Sequence, residues 1–267
     1  MNRLQECAAG LLILVAVVSL AGIWVAPDST TQNRDAIQQP PSRQYLLGTD
    51  QLGRDNLSRL LSGLRLSLFL ASAGAALSCA LALVLGALSG FAGGVVETLL
   101  LSCIGVVDSV PWLFLFLAVR ALLPLNVSPA ASIWITFTML ALLGWTHAAR
   151  VFQAAARDYR NSDAMVFARA CGVAGWHLWL RHALPTLRPV SLTQFTILIP
   201  TFILAEAGLG LLGLGVSEPL PSLGNLLRQL ENRELIHSNP EVLLPLGVLV
   251  VVMLCFRAAC GDLELTS

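Results

Sequence analysis

Residues Ser162–Pro185 read SDAMVFARACGVAGWHLWLRHALP, a polar, arginine-bearing segment set between long apolar runs. A chain that spends most of its length in hydrocarbon has little use for such a segment unless something outside the bilayer grips it. Ser162 or Asp163 can cap a helix start, because a short side-chain oxygen accepts from the free N–H groups of the first turn. Ala164–Cys171 is a helix-forming run that offers Met165, Phe167 and Ala168 as knobs. Gly172 suits a left-handed stop. A second helical stretch, Trp176–Leu184, puts Trp176, Trp179 and Leu180 on one face, and Pro185 ends it. A short, firmly terminated helix is what a rigid lever needs.

On either side the chain is apolar. Of its 267 residues, 56% are hydrophobic and only 12% charged, where a soluble domain carries about 25% charge. Mean hydropathy is +0.75. Spanning hydrocarbon takes roughly 20 apolar residues. Cys7–Pro27, Leu66–Val96 and Ala121–Ala149 contain no Asp, Glu, Lys or Arg. Thr98–Val119 carries one charge, Asp108, and Val190–Ser217 carries one, Glu206. Val242–Phe256 is uncharged but short, and Arg257 can snorkel to lengthen it. These runs predict an all-α integral membrane protein with six transmembrane helices. The first run ends in WVAPDS without a convincing cleavage site, so it reads as a retained helix rather than a signal peptide.

Composition also excludes functions. Net charge is zero, so nothing suggests nucleic acid as a partner. All 16 basic residues are Arg. Without a lysine there is no phosphate loop of the G-x-x-x-x-G-K-[ST] type, and the chain cannot hydrolyse ATP by that route. The 6 cysteines are scattered without a C-x-x-C pair and read as small buried apolar residues. His147, His177, His182 and His237 have no metal-site spacing, so no metal site is expected.

The long polar connection after the first helix has two parts. DSTTQNRDAIQQPPSRQ is rich in turn formers and reads as loop. In LLGTDQLGRDNLSRLLSGLRLSL, residues Leu57, Leu60, Leu61, Leu64 and Leu68 fall at helical spacing with Arg54, Asp55, Arg59 and Arg65 between them. That pattern predicts an amphipathic helix at the membrane surface leading into the second span. Residues 1–65 are thus expected to form a transmembrane helix, an outer loop and an interfacial helix. Residues 66–267 are expected to form a core of five spans with a polar loop at about 150–189.

Three separated stretches resemble one family. The polar loop is similar to the cytoplasmic "EAA" loop of ABC importer permeases, with Ala168, Ala170, Gly172, Leu184 and Pro185 in place. Val166 stands where that family usually has Glu, and Phe167 where it usually has Ala. Gly48–Leu68 resembles the signature GTDxxGRDxxSRxxxGxRxSL of the dipeptide/oligopeptide/nickel branch. Ala205–Asn225, AEAGLGLLGLGVSEPLPSLGN, is similar to a run that the same branch carries at the end of its fifth helix. Here Gly210 replaces the usual Ser and Leu223 the usual Trp.

The resemblance implies a type I ABC importer permease fold, with a coupling helix that docks into an ATPase subunit. It assigns ATPase coupling to Asp163, Ala164, Met165, Val166, Phe167, Ala168, Arg169, Ala170, Cys171 and Gly172. It implies no cofactor bound by this chain, ATP and Mg being held in partner subunits. The implied partners are a second related permease, two ATPase subunits, a periplasmic or extracellular solute-binding protein and the lipid bilayer. The solute implied is a short peptide, with nickel or a metal chelate as the alternative. The implied location is the bacterial inner membrane with both termini cytoplasmic. The arginine count is a tie between the two sides and does not itself orient the chain.

Asp108 and Glu206 are the membrane charges that need explaining, since such residues face a pore or a partner rather than lipid. With Pro111, which is expected to kink the third helix, they are candidates for the translocation path. Gly208, Gly210 and Gly213 spell G-x-G-x-x-G, but no strand precedes them, and helix packing by small residues is the expected use. Gly86/Gly90 and Gly90/Gly94 share that spacing. Two rival classes carry less. An ion-coupled secondary transporter needs coupling-ion ligands and usually inverted repeats. A non-transport scaffold has no need of the Gly48–Leu68 pattern.

Overall fold

A computed structural model of the chain describes residues 3–25, 29–122, 128–171, 184–232 and 239–260. Among these residues the regular elements are all helical. Helix α1, Arg3–Val25, leads to a loop with one 3-10 turn at Arg34–Ala36. Asp55 then caps α2, Asn56–Ala92, its carboxylate accepting from the N–H groups of Leu57 and Ser58.

The expected surface helix is not separate. Asn56–Ala92 is one unbroken helix of 37 residues, because no proline or capping signal interrupts it. Gly63 does not break it either: a Cβ there would sit 3.2 Å from Ser222 C, so its small size serves packing. At 1.5 Å per residue α2 is about 55 Å long, well beyond the ~30 Å of hydrocarbon.

Gly93 and Gly94, with φ of +66° and +54°, turn the chain into α3, Gly94–Ser109. Pro111 does more than kink the next span. It separates α3 from α4, Trp112–Leu122, and the two are bent by 76°. Helix α5, Pro129–Arg160, follows from a Ser128 cap, and α6, Asp163–Ala170, follows it almost at once. Helix α7 is Arg188–Leu211. A turning segment then carries the short α8, Leu223–Leu227, before α9, Leu244–Cys260.

Helices α2, α5 and α7 form the centre. A Cβ on Gly86 or Gly90 would lie 2.4 Å from the carbonyl oxygens of Ala149 and Gln153 respectively, so these glycines let α2 and α5 run in contact. Phe202 of α7 fills the space left by Gly74 and Gly144. Gly22 of α1 meets Leu61, and Ser132 of α5 donates to Gly215 O. These contacts put Arg3, Ala92–Gly94, α6, Arg188 and Cys260 at one end of the molecule. The 29–55 loop, Ser128, the 212–231 segment and the start of α9 lie at the other.

Among the described residues, four helices are long and apolar enough to cross a membrane, and the bent α3–α4 pair makes a fifth span if counted as one. Helix α1 contributes a shorter apolar stretch, Gly10–Gly22. The protein is therefore a mostly helical, multi-pass membrane protein.

Candidate functional site: two poles of the molecule

At the end away from α6, two stretches that are distant in sequence clasp each other. Asp50 Oδ1 accepts from the backbone N–H groups of Leu52 and Arg54, each at 2.8 Å. Its Oδ2 takes Arg54 Nε at 2.7 Å and Arg59 Nη1 at 3.4 Å. Glu218 closes the network: its Oε2 lies 2.7 Å from Arg54 Nη1 and its Oε1 2.9 Å from Arg59 Nη2. The Arg59 side chain is 1% exposed and that of Glu218 is 51% exposed. The turn that aims Asp50 and Arg54 depends on Gly53, whose φ is +72° and whose added Cβ would lie 1.8 Å from Asn33 O.

The charges in this clasp are mutually adjusted. Burial works to lower the Arg54 pKa, but hydrogen bonds to Asp50 and Glu218 outweigh it, and the net shift is upward. Burial works to raise the Glu218 pKa, but the Arg59 and Arg54 guanidinium groups outweigh it and hold the carboxyl below its ordinary value. Both residues stay charged at neutral pH.

A second tie lies beneath the first. Ser67 Oγ donates to Glu206 Oε2 at 3.1 Å and accepts from Leu223 N–H at 3.2 Å. Gly224 N–H donates to the same Glu206 oxygen at 3.4 Å. Close approach here requires glycine on both sides, since a Cβ on Gly210 would meet Gly224 C at 2.3 Å. Glu206 is 0% exposed. Thus the Gly48–Leu68 and Ala205–Asn225 stretches are one structure: the first supplies Asp50, Arg54, Arg59 and Ser67, and the second supplies Glu206, Glu218 and the 223–224 backbone.

The opposite pole is built differently. Ser162, rather than Asp163, caps α6: its Oγ donates to Tyr159 O at 2.7 Å and accepts from Met165 N–H at 3.4 Å. Met165 is 1% exposed and anchors the helix inward, so it is not an outward knob. Val166 and Phe167 are 59% and 72% exposed. Ala168 is half-buried, while Asp163, Ala164, Ala170 and Cys171 are exposed. Arg169 also lies on α6. Gly172 and most of the expected Trp176–Leu184 helix fall outside the described residues.

Between the poles, α3 is braced on α5. Asp108 Oδ2 lies 2.9 Å from Arg150 Nη2. Glu97 Oε1 accepts from Gln153 and from Arg157 Nη1, the latter at 3.2 Å. Asp108 sits just before the break at Pro111. It is not brought together with Glu206, whose partner Ser67 lies near the other end of α2. Arg150 and the Asp50–Arg54–Arg59–Glu218 network were not picked out from sequence as sites. The signal for the network was the charge retained inside the two signature stretches; Arg150 lies in neither. Among the described residues, no three His, Cys, Asp or Glu side chains converge as metal ligands.

The fold thus defines a multi-pass membrane protein with a short helix, α6, at one end. Residues 82–259 match the family model described as the binding-protein-dependent transport system inner membrane component. The chain belongs to that family and is a multi-pass inner-membrane subunit of an ABC transporter. It is 33% identical over 225 residues to the dipeptide transport system permease protein DppC of Haemophilus influenzae, covering 82% of this chain and 74% of that one. It is 32% identical over 255 residues to the di/tripeptide permease DppC of Pseudomonas aeruginosa, covering 91% and 82%. Over 220 residues it is 29% identical to the oligopeptide permease OppC of Bacillus subtilis, covering 81% and 70%.

Proposed function

We propose that this chain forms part of the path by which an ATP-driven importer carries short peptides across the inner membrane. The single observation that carries the solute class is its similarity, over most of its length, to relatives named as dipeptide, di/tripeptide and oligopeptide permeases. The chain performs no chemistry itself, and ATP hydrolysis belongs to separate subunits. A second, related permease, two ATPases and a solute-binding protein complete the machine.

Helix α6 is the proposed coupling helix. Its position at the end of α5 supports this, because any push on α6 is passed directly to a 32-residue helix packed along α2. Exposed Val166 and Phe167 offer an apolar surface where the family usually has Glu and Ala, so docking here rests more on packing than on charge. Residues 163–172 act together, with Met165 as the anchor and Gly172 as the joint. This reading places α6, the termini and the 92–94 turn in the cytoplasm, and the 29–55 and 212–240 segments outside. With α1 inserted and α3–α4 counted as one, six spans cross the bilayer. Residues 1–65 then add one span and an outer loop to a core formed by 66–267.

Transport proceeds by alternating access. ATP-driven closure of the ATPases moves α6, and α5 carries the movement to the spans. Asp108 and Pro111 lie where α3 leaves α5, a natural place for the path wall to flex. Glu206 contributes from behind, by tying α7 and the outer segment to α2. The test is reconstitution of the permease pair with its ATPases and binding protein in proteoliposomes. Uptake of a radiolabelled dipeptide should require ATP, the binding protein and this chain. ATP-dependent uptake of nickel with no dipeptide uptake would overturn the peptide reading.

A further inference from the structure

A polar cavity of about 310 Å³ opens beside the outer clasp. It is walled by the 38–56 loop, the segment from Glu218 to Asn232, and Asn239 with Val242. Only Leu52 and Val242 among its lining residues are apolar, so it offers little to an apolar solute. Charge of both signs meets there. Asp50 and Arg54 are committed to each other, and Arg54 also holds Glu218. Glu218 nonetheless remains 51% exposed, so its carboxylate keeps acceptor capacity toward the opening. Arg228 and Glu231 line the same cavity, are exposed, and form no ion pair among the described residues. Gln51 and Gln229 add amide groups that can both donate and accept.

We propose that this cavity is a peptide site on the permease itself, taking the zwitterionic backbone of a short peptide. This rests on the peptide-importer reading above. Arg228 attracts the peptide carboxylate, Glu218 and Glu231 attract its ammonium group, and the glutamine amides match its peptide bond. The volume lies at the bottom of the usual range of ligand pockets, roughly 300–1,000 Å³. A dipeptide or tripeptide therefore fits better than a longer chain. The site stands at the outer mouth, where a released peptide would be held before it enters the path.

The experiment uses the purified permease–ATPase complex in nanodiscs, with the binding protein left out. Equilibrium dialysis against radiolabelled dialanine should show saturable binding. Unlabelled dialanine should compete, and its N-acetylated, C-amidated form should not. Arg228→Gln and Glu231→Gln should each weaken binding about tenfold or more, the loss of one charged hydrogen bond. Neither should lower the melting temperature by more than a few degrees, since neither forms an ion pair among the described residues. Absence of saturable binding, unchanged affinity in both variants, or binding that requires the binding protein would each overturn the proposal. The last would make the cavity a docking face instead. Uptake by the full reconstituted transporter separates this from the reading beneath it. Dipeptide uptake without binding at this site sinks the cavity proposal alone, whereas no dipeptide uptake at all sinks the peptide reading as well.

Discussion

The two poles of the molecule solve opposite problems. At the clasp pole, charges are turned inward and paired with one another across 159 and 164 residues of sequence. Arg59 is almost fully buried and meets two carboxylates. At the α6 pole no comparable network involves α6 among the described residues: one hydroxyl caps the helix, one methionine anchors it, and Val166 and Phe167 are exposed. A surface that completes itself holds a shape. An exposed apolar surface suits a partner. This difference is what the proposed coupling role of α6 draws on.

The comparison breaks most easily at Arg59. Arg59→Ala would leave Asp50 and Glu218 facing each other without one of their shared cations. Asp50 and Glu218 keep Arg54, and Glu218 is half exposed, so the cost is about 1–3 kcal/mol rather than that of a fully buried pair. A fall in the melting temperature of the purified permease is expected, and Arg59→Lys should restore only part of it, because lysine cannot bridge two carboxylates with a planar fork. A melting temperature unchanged in Arg59→Ala would remove the clasp from the account.

Gly53 sharpens the same point. Its positive φ and the 1.8 Å approach of Asn33 O leave no room for a Cβ. Gly53→Ala should destabilise the outer loop by roughly 1–3 kcal/mol, seen as faster protease cleavage between residues 29 and 55, while co-purification with the ATPases stays normal. At the other pole, Ser162→Ala removes a helix cap worth about 1 kcal/mol. Faster amide exchange confined to α6 is expected, with no change at the clasp.

The smallest effect is electrostatic. The folded-state pKa of Glu218 lies below its ordinary value, near 4.3 for a free glutamate. Its stabilising contribution is therefore complete above that ordinary value and is lost as pH falls through the depressed one. Stability should be flat in this respect at neutral pH and weaken only in acid. Glu218→Gln should flatten part of that acid limb, modestly, because the side chain is half exposed. An acid limb identical in both proteins would mean that Glu218 carries no such linkage.

Much of this architecture was legible from residues alone, for physical reasons that differ by region. Uncharged runs announce spans because charge in hydrocarbon is costly, and Pro111 announces the α3–α4 break because it cannot donate within a helix. The continuity of α2 was missed because Arg54, Arg59 and Arg65 looked like a solvated face. Arg59 is in fact buried, neutralised by Glu218 from a segment that no local periodicity connects to it. The facing of α6 was available but unused. Met165 and Phe167 are two positions apart, about 200° around a helix, so both could not point outward. Ser67 had no such signal; its role depends on where Glu206 and Leu223 happen to meet it.

The central claim is that the apolar surface of α6 is the ATPase contact, separate from what stabilises the permease. Phe167→Asp tests it most directly, since Phe167 is 72% exposed. The permease is purified through a tag on its partner permease, and co-purified ATPase and melting temperature are measured on the same sample. The account predicts that Phe167→Asp loses most of the ATPase with its melting temperature unchanged, while Val166→Glu retains it. Full ATPase recovery with Phe167→Asp, or loss of ATPase only together with the fold, would contradict it.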